Sequence, residues 1–166
     1  MGKGDDMTDL TVEMRDLDEM VVVSGSGFGV EPEPLAWNLI FEFAALHGLE
    51  VGSGEHRFFG FNNPGPSPGN PDYGYEQWMT IDPGVGVEAP LTRKEIPRSR
   101  YVATRFVGLQ NITDTWREFL KWFDDRGLER SAGDEPCLEE LRNPAANSPE
   151  LWEFDLYLPI SEPTSV

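Results

Sequence analysis

A shift of 79 residues lays the second half of this chain on the first. Tyr75 falls on Phe154, Glu76 on Asp155, Trp78 on Tyr157 and Ile81 on Ile160. The same shift sets Trp37 on Trp116, Phe41 on Leu120, Ala44 on Phe123 and His47-Gly-Leu-Glu50 on Arg126-Gly-Leu-Glu129. With one residue of slack, Asn62-Asn-Pro64 meets Arg142-Asn-Pro144. So long a period does not describe a solenoid. It describes an αβ unit copied once, the copies paired about a pseudo-twofold axis. The prediction is a single domain over about 9–160, with repeat one over about 9–82 and repeat two over about 90–160. Residues 1–8 and 161–166 are expected to be flexible tails.

Within each copy the local patterns spell strand, strand, helix, strand, strand. Leu10 to Leu17 alternates as a strand, Asp18-Glu19 reads as a turn, and Met20 to Ser24 reads as a more buried strand. Gly25-Ser-Gly-Phe-Gly29 reads as a turn before a helix; it lacks GxGxxG spacing and a following Lys-Ser/Thr, which argues against a phosphate loop. Pro32 and Pro34 suit a first helical turn. A helix is predicted from about Pro34 to His47, with a stripe of Leu35, Leu39, Phe43 and Leu46 widened by Trp37, Ile40, Phe41 and Ala44, and Gly48 as its C-terminal cap. Arg57 to Phe61 is a short strand, Asn62 to Pro71 a rigid loop, and Tyr73 to Ile81 the strand that closes the copy. In the second copy, strands are expected at Leu91 to Ile96 and Arg100 to Val107, turned at Pro97-Arg98-Ser99. A helix follows over about Thr113 to Arg126, with Trp116, Phe119, Leu120 and Phe123 inward, Thr115 and Glu118 at capping-box spacing, and Gly127 as cap. Cys137 to Leu141 and Trp152 to Ile160 complete the strands. The fold class is α+β: duplicated βαββ-type repeats with an antiparallel sheet, helices outside and a central ligand cleft.

Charge narrows the partners. The net charge is −17, from 30 acids against 13 bases, the wrong sign for a phosphate-binding surface, so direct nucleic-acid binding is not expected. A solvated acidic surface, a high-salt cytoplasm and an acidic face for a basic protein partner each fit that balance. The single cysteine, Cys137, rules out an intrachain disulfide, and with no signal-like N-terminus this predicts a reducing cytoplasm. No apolar run approaches the roughly 20 residues of a membrane span. Two histidines and one cysteine make no credible metal constellation, and no cofactor is expected.

Strand alternation points to a site. In the last strand Phe154, Leu156, Leu158 and Ile160 form a wholly apolar face, and Glu153, Asp155 and Tyr157 lie opposite. The corresponding face of the first copy carries Glu76, Trp78 and Thr80. Related by a twofold, the two faces would line a cleft with aromatic walls and two carboxylates. Tyr101 would add to it, and Trp37 and Trp116 occupy equivalent helix positions that suit either the cleft or helix-to-sheet packing. Aromatic faces attract cations, and a buried carboxylate left unpaired has its pKa raised. A lipophilic aromatic or cationic small molecule would satisfy both groups. The alternatives are carboxylates paired by arginines such as Arg105 or facing solvent, and a hydrolase using Glu76 and Asp155 as its acid–base pair.

The motifs Phe58-Phe-Gly-Phe-Asn-Asn-Pro64, Tyr73-Gly-Tyr-Glu-Gln-Trp78, Ile96-Pro with Tyr101, the Trp116 helix, Pro136-Cys-Leu-Glu-Glu-Leu-Arg-Asn143 and Phe154-Asp-Leu-Tyr-Leu-Pro-Ile160 resemble, as a set, the GyrI-like small-molecule-binding family. That family is related to the effector-binding domains of AraC-type and MerR-type multidrug regulators. The resemblance covers about residues 9–160. It implies a stand-alone effector-binding module in which an acid of the final strand, here Asp155, contacts cationic or amphipathic ligands among stacking aromatics. Relatives of this kind include drug-sequestering proteins, a DNA gyrase inhibitor and hydrolases of cyclopropane-bearing alkylators. Toxin sequestration or regulation, hydrolysis, and docking on a protein partner are the functions it implies.

Overall fold

A computed structural model describes residues 10–161. Of the tails expected at 1–8 and 161–166, residues 1–8 and 162–166 lie outside the described residues; Ser161 donates its N–H to the Glu129 carbonyl at 3.0 Å. Eight strands and two α-helices follow in the order β1 (Val12–Leu17), β2 (Met20–Gly29), α1 (Pro32–Leu46), β3 (Phe58–Asn62), β4 (Tyr73–Thr80), β5 (Thr92–Ile96), β6 (Ser99–Val107), α2 (Ile112–Asp125), β7 (Leu138–Leu141) and β8 (Glu153–Pro159). The fold is α+β with antiparallel sheet pairing, as the alternation and the two helical stripes predict.

The chain forms two compact units, but not along the repeat boundary. One unit is Glu19–Pro97; the other joins the described residues up to Asp18 to those from Arg98 onward. In the Glu19–Pro97 unit the strand order is β3-β4-β2-β5. In the other it is β1-β6-β8-β7. The turns expected at Asp18-Glu19 and Pro97-Arg98-Ser99 therefore do not close hairpins. β1 pairs with β6, setting Arg15 opposite Tyr101, and β5 pairs with β2, setting Lys94 opposite Val22. Each copy of the repeat gives its first strand to the sheet built by the other. Any amphipathic edge strand can complete such a sheet, and alternation carries no label for its partner.

In the Glu19–Pro97 unit, α1 lies against β2 and β4 over a core of Val23, Ile40, Phe43, Ala44, Phe58, Met79 and Ile81. Gly25 to Gly29 is not a turn: β2 continues through it, paired with β4 as far as Gly29 opposite Tyr73. Its glycines are there for the helix. A Cβ on Gly27 would stand 2.5 Å from the Pro32 carbonyl oxygen and 2.7 Å from Leu35 Cβ, and one on Gly25 would stand 3.0 Å from Leu39 Cβ. Without side chains there, the helix backbone settles onto the strand and presents its small residues, Ala36 and Ala44, with Ile40 and Phe43. Leu35, Phe41 and Leu46, expected inward, are 50%, 43% and 82% exposed. Gly48, at φ 67°, caps the helix as predicted, with the Leu49 N–H returning to the Ala44 carbonyl.

In the other unit, α2 covers Val102, Leu156, Leu158 and Ile160 with Phe119 and Phe123. That is the apolar face predicted for the last strand. Gly127, at φ 70°, is again the cap. The capping box is not used, because the helix starts four residues earlier than its spacing implies, with Asn111 at the N-cap position. Thr115 sits inside the helix and donates its hydroxyl to the Asn111 carbonyl at 2.7 Å.

Candidate functional site

Each unit buries an acid on the sheet face turned away from its helix, Glu76 in one and Asp155, with Glu140 opposite it, in the other. Side chains alternate along β4, so Met79 joins the α1 core while Glu76 and Trp78 lie on the reverse face. Glu76 is 2% exposed and collects four hydrogen bonds. Its Oε2 accepts from Ser24 Oγ at 2.7 Å, Trp78 Nε1 at 2.6 Å and Lys94 Nζ at 2.5 Å; its Oε1 accepts from Asn63 Nδ2 at 3.1 Å. Phe61, on β3, stands edge-on to the Trp78 ring, centroids 5.0 Å apart. Ser24 comes from β2, directly opposite Trp78, and Lys94 reaches in from the edge strand β5. Burial works against the charged carboxyl, but the bonds from Lys94, Trp78, Ser24 and Asn63 outweigh it and hold the group below the usual glutamate range. Glu76 is thus a carboxylate at neutral pH, whereas an unpaired acid in such burial would have its pKa raised.

The other unit gives its acid a different setting. Asp155, on β8, has no exposed surface. Arg105 binds both its oxygens, Nε to Oδ1 at 2.7 Å and Nη2 to Oδ2 at 3.1 Å. Arg15 Nη1 donates to Oδ2 at 2.7 Å, and Arg142 Nη1 stands 3.5 Å from the same oxygen. Burial again opposes the charge, and the hydrogen bonds and positive charge of Arg105 and Arg15 again win, so this carboxyl also titrates below its usual range. The pairing with Arg105 weighed from the sequence is present, reinforced by two further guanidinium groups. Tyr157 extends the network. Its hydroxyl accepts from Arg15 at 3.0 Å and donates to Glu140 Oε1 at 2.6 Å. Burial and the Glu140 charge push the phenol pKa well above its ordinary value, so it remains a donor at any physiological pH. Tyr101 packs edge-on to Tyr157 with centroids 5.5 Å apart, and burial, with the Glu135 charge, raises its pKa to about 12.

Of the predicted residues, then, Glu76 and Trp78 touch in one unit, and Asp155, Tyr157 and Tyr101 cluster in the other. Trp37 and Trp116 do not join them. Trp37 stacks on Phe58 and Phe41 within the α1 core, and Trp116 packs on the α2 core while its Nε1 donates to Glu139 at 2.8 Å. Both lie on the helix side of their sheets, and the acids face the other way. A groove of about 350 Å³ beside α1, walled by Leu39, Phe43 and Leu91, also lies apart from Glu76 and Trp78.

The residues that sequence reading missed are the partners: Ser24, Asn63 and Lys94 around one acid, Arg15, Arg142 and Glu140 around the other. A signal for them exists. The 79-residue shift that lays Glu76 on Asp155 also lays Arg15 on Lys94, Asn63 on Arg142 and Phe61 on Glu140. The bases at Arg15 and Lys94 sit on the two exchanged strands, so each acid receives one base from the first strand of the opposite repeat. Among the described residues, no group of three or more His, Cys, Asp and Glu is placed to hold a metal ion, and no helix is long and apolar enough to cross a membrane.

Four antiparallel strands in each unit, with a helix on one face and a buried acid on the other, give the architecture of effector-binding modules of the GyrI-like superfamily. The family model described as Integron-associated effector binding protein matches residues 17–160, and the chain belongs to that family. No curated protein sequence matches it significantly. Solved structures share the fold at low identity. The C-terminal domain of EcmrR superposes with a TM-score of 0.71 at 10% identity, covering 93% of this chain and 99% of that one. Against the EcmrR chain in its DNA complex the TM-score is 0.73 at 11% identity; 92% of this chain is covered, and the match spans 58% of that longer chain. SAV2435 bound to tetraphenylphosphonium superposes at 0.58 with 10% identity, covering 91% of this chain and 94% of that one. An integron cassette protein from the mobile metagenome of Vibrio cholerae superposes at 0.52 with 13% identity, covering 90% and 95%.

Proposed function

We propose that this chain binds a small organic cation with an aromatic body, and that Glu76 with Trp78 receives it. The observation that carries this reading is the uneven neutralisation of Glu76 and Asp155. Asp155 is held by three guanidinium groups, one gripping both oxygens, and a ligand would have to break several charge-assisted bonds to reach it. Glu76 is met by a single charge, on a lysine whose side chain is 40% exposed, and by three neutral donors that leave its net charge untouched. The aromatic wall is there too, in Trp78 and Phe61.

Family membership supports small-molecule binding in general. The cationic, aromatic nature of the ligand is favoured by the Glu76–Trp78 pairing, and a fold relative carries an aromatic phosphonium ion. A carboxylate beside ring faces gains from such a cation in two ways, through charge and through attraction of about 0.5–2 kcal/mol per ring contact. Isothermal titration with tetraphenylphosphonium and a panel of lipophilic cationic dyes tests the reading. Saturable binding that falls more than about tenfold in Glu76→Gln but less than about threefold in Asp155→Asn is expected. Absence of binding across the panel, or indifference to Glu76→Gln, overturns it. Appearance of a product by mass spectrometry would replace it with hydrolysis.

A further inference from the structure

We infer that Lys94 is a tethered stand-in for the ligand: its ammonium occupies the cation position at Glu76 in the empty protein and leaves when an organic cation arrives. The inference rests on the binding proposal at Glu76 and adds the exchange that governs it. Three observations carry it. Lys94 Nζ meets Glu76 Oε2 on the same oxygen that Ser24 and Trp78 already bind, so a second cation there competes with it. Its side chain is 40% exposed while the acid it pairs with is 3% exposed, so the ammonium lies between the buried carboxylate and water and re-enters water at little cost. The equivalent base in the other unit, Arg15, is fixed by Asp155, Tyr157 and Glu13 together, whereas Glu76 is the one acid that Lys94 holds among the described residues. A lysine is a flexible point charge and an arginine a planar fork; the first suits a bond made to be exchanged and the second a bond made to last.

On exchange the site stays neutral, because one positive charge replaces another. Ser24, Trp78 and Asn63 keep Glu76 oriented throughout, so the protein does not pass through a state with a bare buried charge. Lys94 thereby sets the affinity threshold: an uncharged aromatic compound cannot displace it, and a cation must out-compete a half-exposed ion pair.

Amine labelling reads the exchange directly, since the chain has only three lysines, Lys3, Lys94 and Lys121. The intact protein is treated briefly with an N-hydroxysuccinimide acetate, with and without saturating tetraphenylphosphonium, and acetylation at each lysine is mapped by mass spectrometry. Lys94 labelling is expected to rise at least about threefold with ligand while Lys121 stays constant, because a freed amine on an edge strand reacts faster than one held in an ion pair. In parallel, Lys94→Met, which keeps the stem and removes the charge, is expected to bind the phosphonium about fivefold tighter at pH 8, and Lys94→Arg more weakly than the wild type. Unchanged or reduced Lys94 labelling in a protein that binds the phosphonium through Glu76 overturns the exchange and leaves the binding proposal standing. Failure of the wild-type protein to bind the phosphonium overturns both. Should Lys94→Met melt too low to titrate, the labelling result on the wild type decides.

Discussion

The two halves of this protein solve one electrostatic problem in two ways. Each buries an acid on the sheet face opposite its helix, and each takes one compensating base from a strand given by the other repeat. Around Asp155 the compensation is multiple and rigid: Arg15, Arg105 and Arg142 converge on its two oxygens, Glu13 and Glu153 also hold Arg15 and Arg142, and Tyr157, which donates to Glu140, bonds Arg15. Around Glu76 it is minimal, a single lysine and three neutral donors. Duplication supplied the same position twice, and the copies diverged in how readily the charge at that position can be released. On the proposed reading the first arrangement holds a structure together and the second leaves a place for a ligand.

Removing each acid tests that contrast. Asp155→Asn leaves guanidinium groups crowded around a neutral amide and is expected to lower stability by about 3 kcal/mol, read as a large drop in Tm. Glu76→Gln relieves one half-exposed lysine and should cost only about 1 kcal/mol, its main effect falling on ligand affinity. Equal destabilisation by the two changes would erase the distinction.

The helices differ as well. Gly27 lets α1 close on β2, whereas the equivalent position in the other copy is Phe106, stacked on Phe154 at 5.3 Å. Gly27→Ala forces a methyl to within 2.5 Å of a helix carbonyl and should cost about 2 kcal/mol by chemical denaturation, placing it between the two acid substitutions.

Acid titration sharpens the comparison further. Both carboxyls titrate lower in the folded chain than in the unfolded one, where values near 3.8 for Asp155 and 4.5 for Glu76 apply. A depressed folded pKa gives stability that is fully present above the unfolded value and lost as pH falls through the folded one. Stability should therefore be flat from neutral pH down to about 5 and fall below that. Asp155→Asn should flatten the fall more than Glu76→Gln does, measured as Tm against pH. The smallest effect belongs to the surface. Lys121→Ala removes an exposed pair with Asp125 on α2 and should leave Tm unchanged within the error of the measurement.

Much of this was written in the chain. The 79-residue repeat announced two copies, and the apolar stripe from Phe154 to Ile160 told which face of the last strand would meet α2. Gly48 and Gly127 marked both helix ends. Glu76 beside Trp78 was legible because an acid and an indole two residues apart on a strand share a face, and the structure joins them at 2.6 Å. Other features were hidden. The glycines of β2 read as a turn because glycine serves both turns and close approaches, and only the neighbour, α1, tells which. Trp37 and Trp116 occupy matching positions, but a helix position does not say which side of a sheet its side chain will reach.

By itself the sequence determined periodicity: where strands and helices fall, that there are two copies, and that an acid and an aromatic share one face in each. These are local properties, set by side-chain spacing along a chain of fixed geometry. The tertiary structure alone decided the exchange of β1 and β5, and with it the pairing of Arg15 to Asp155 and Lys94 to Glu76. Strand partners are chosen by a competition among edges far apart in sequence, and a charge separated from its partner by 140 residues leaves no local trace of which acid it will meet.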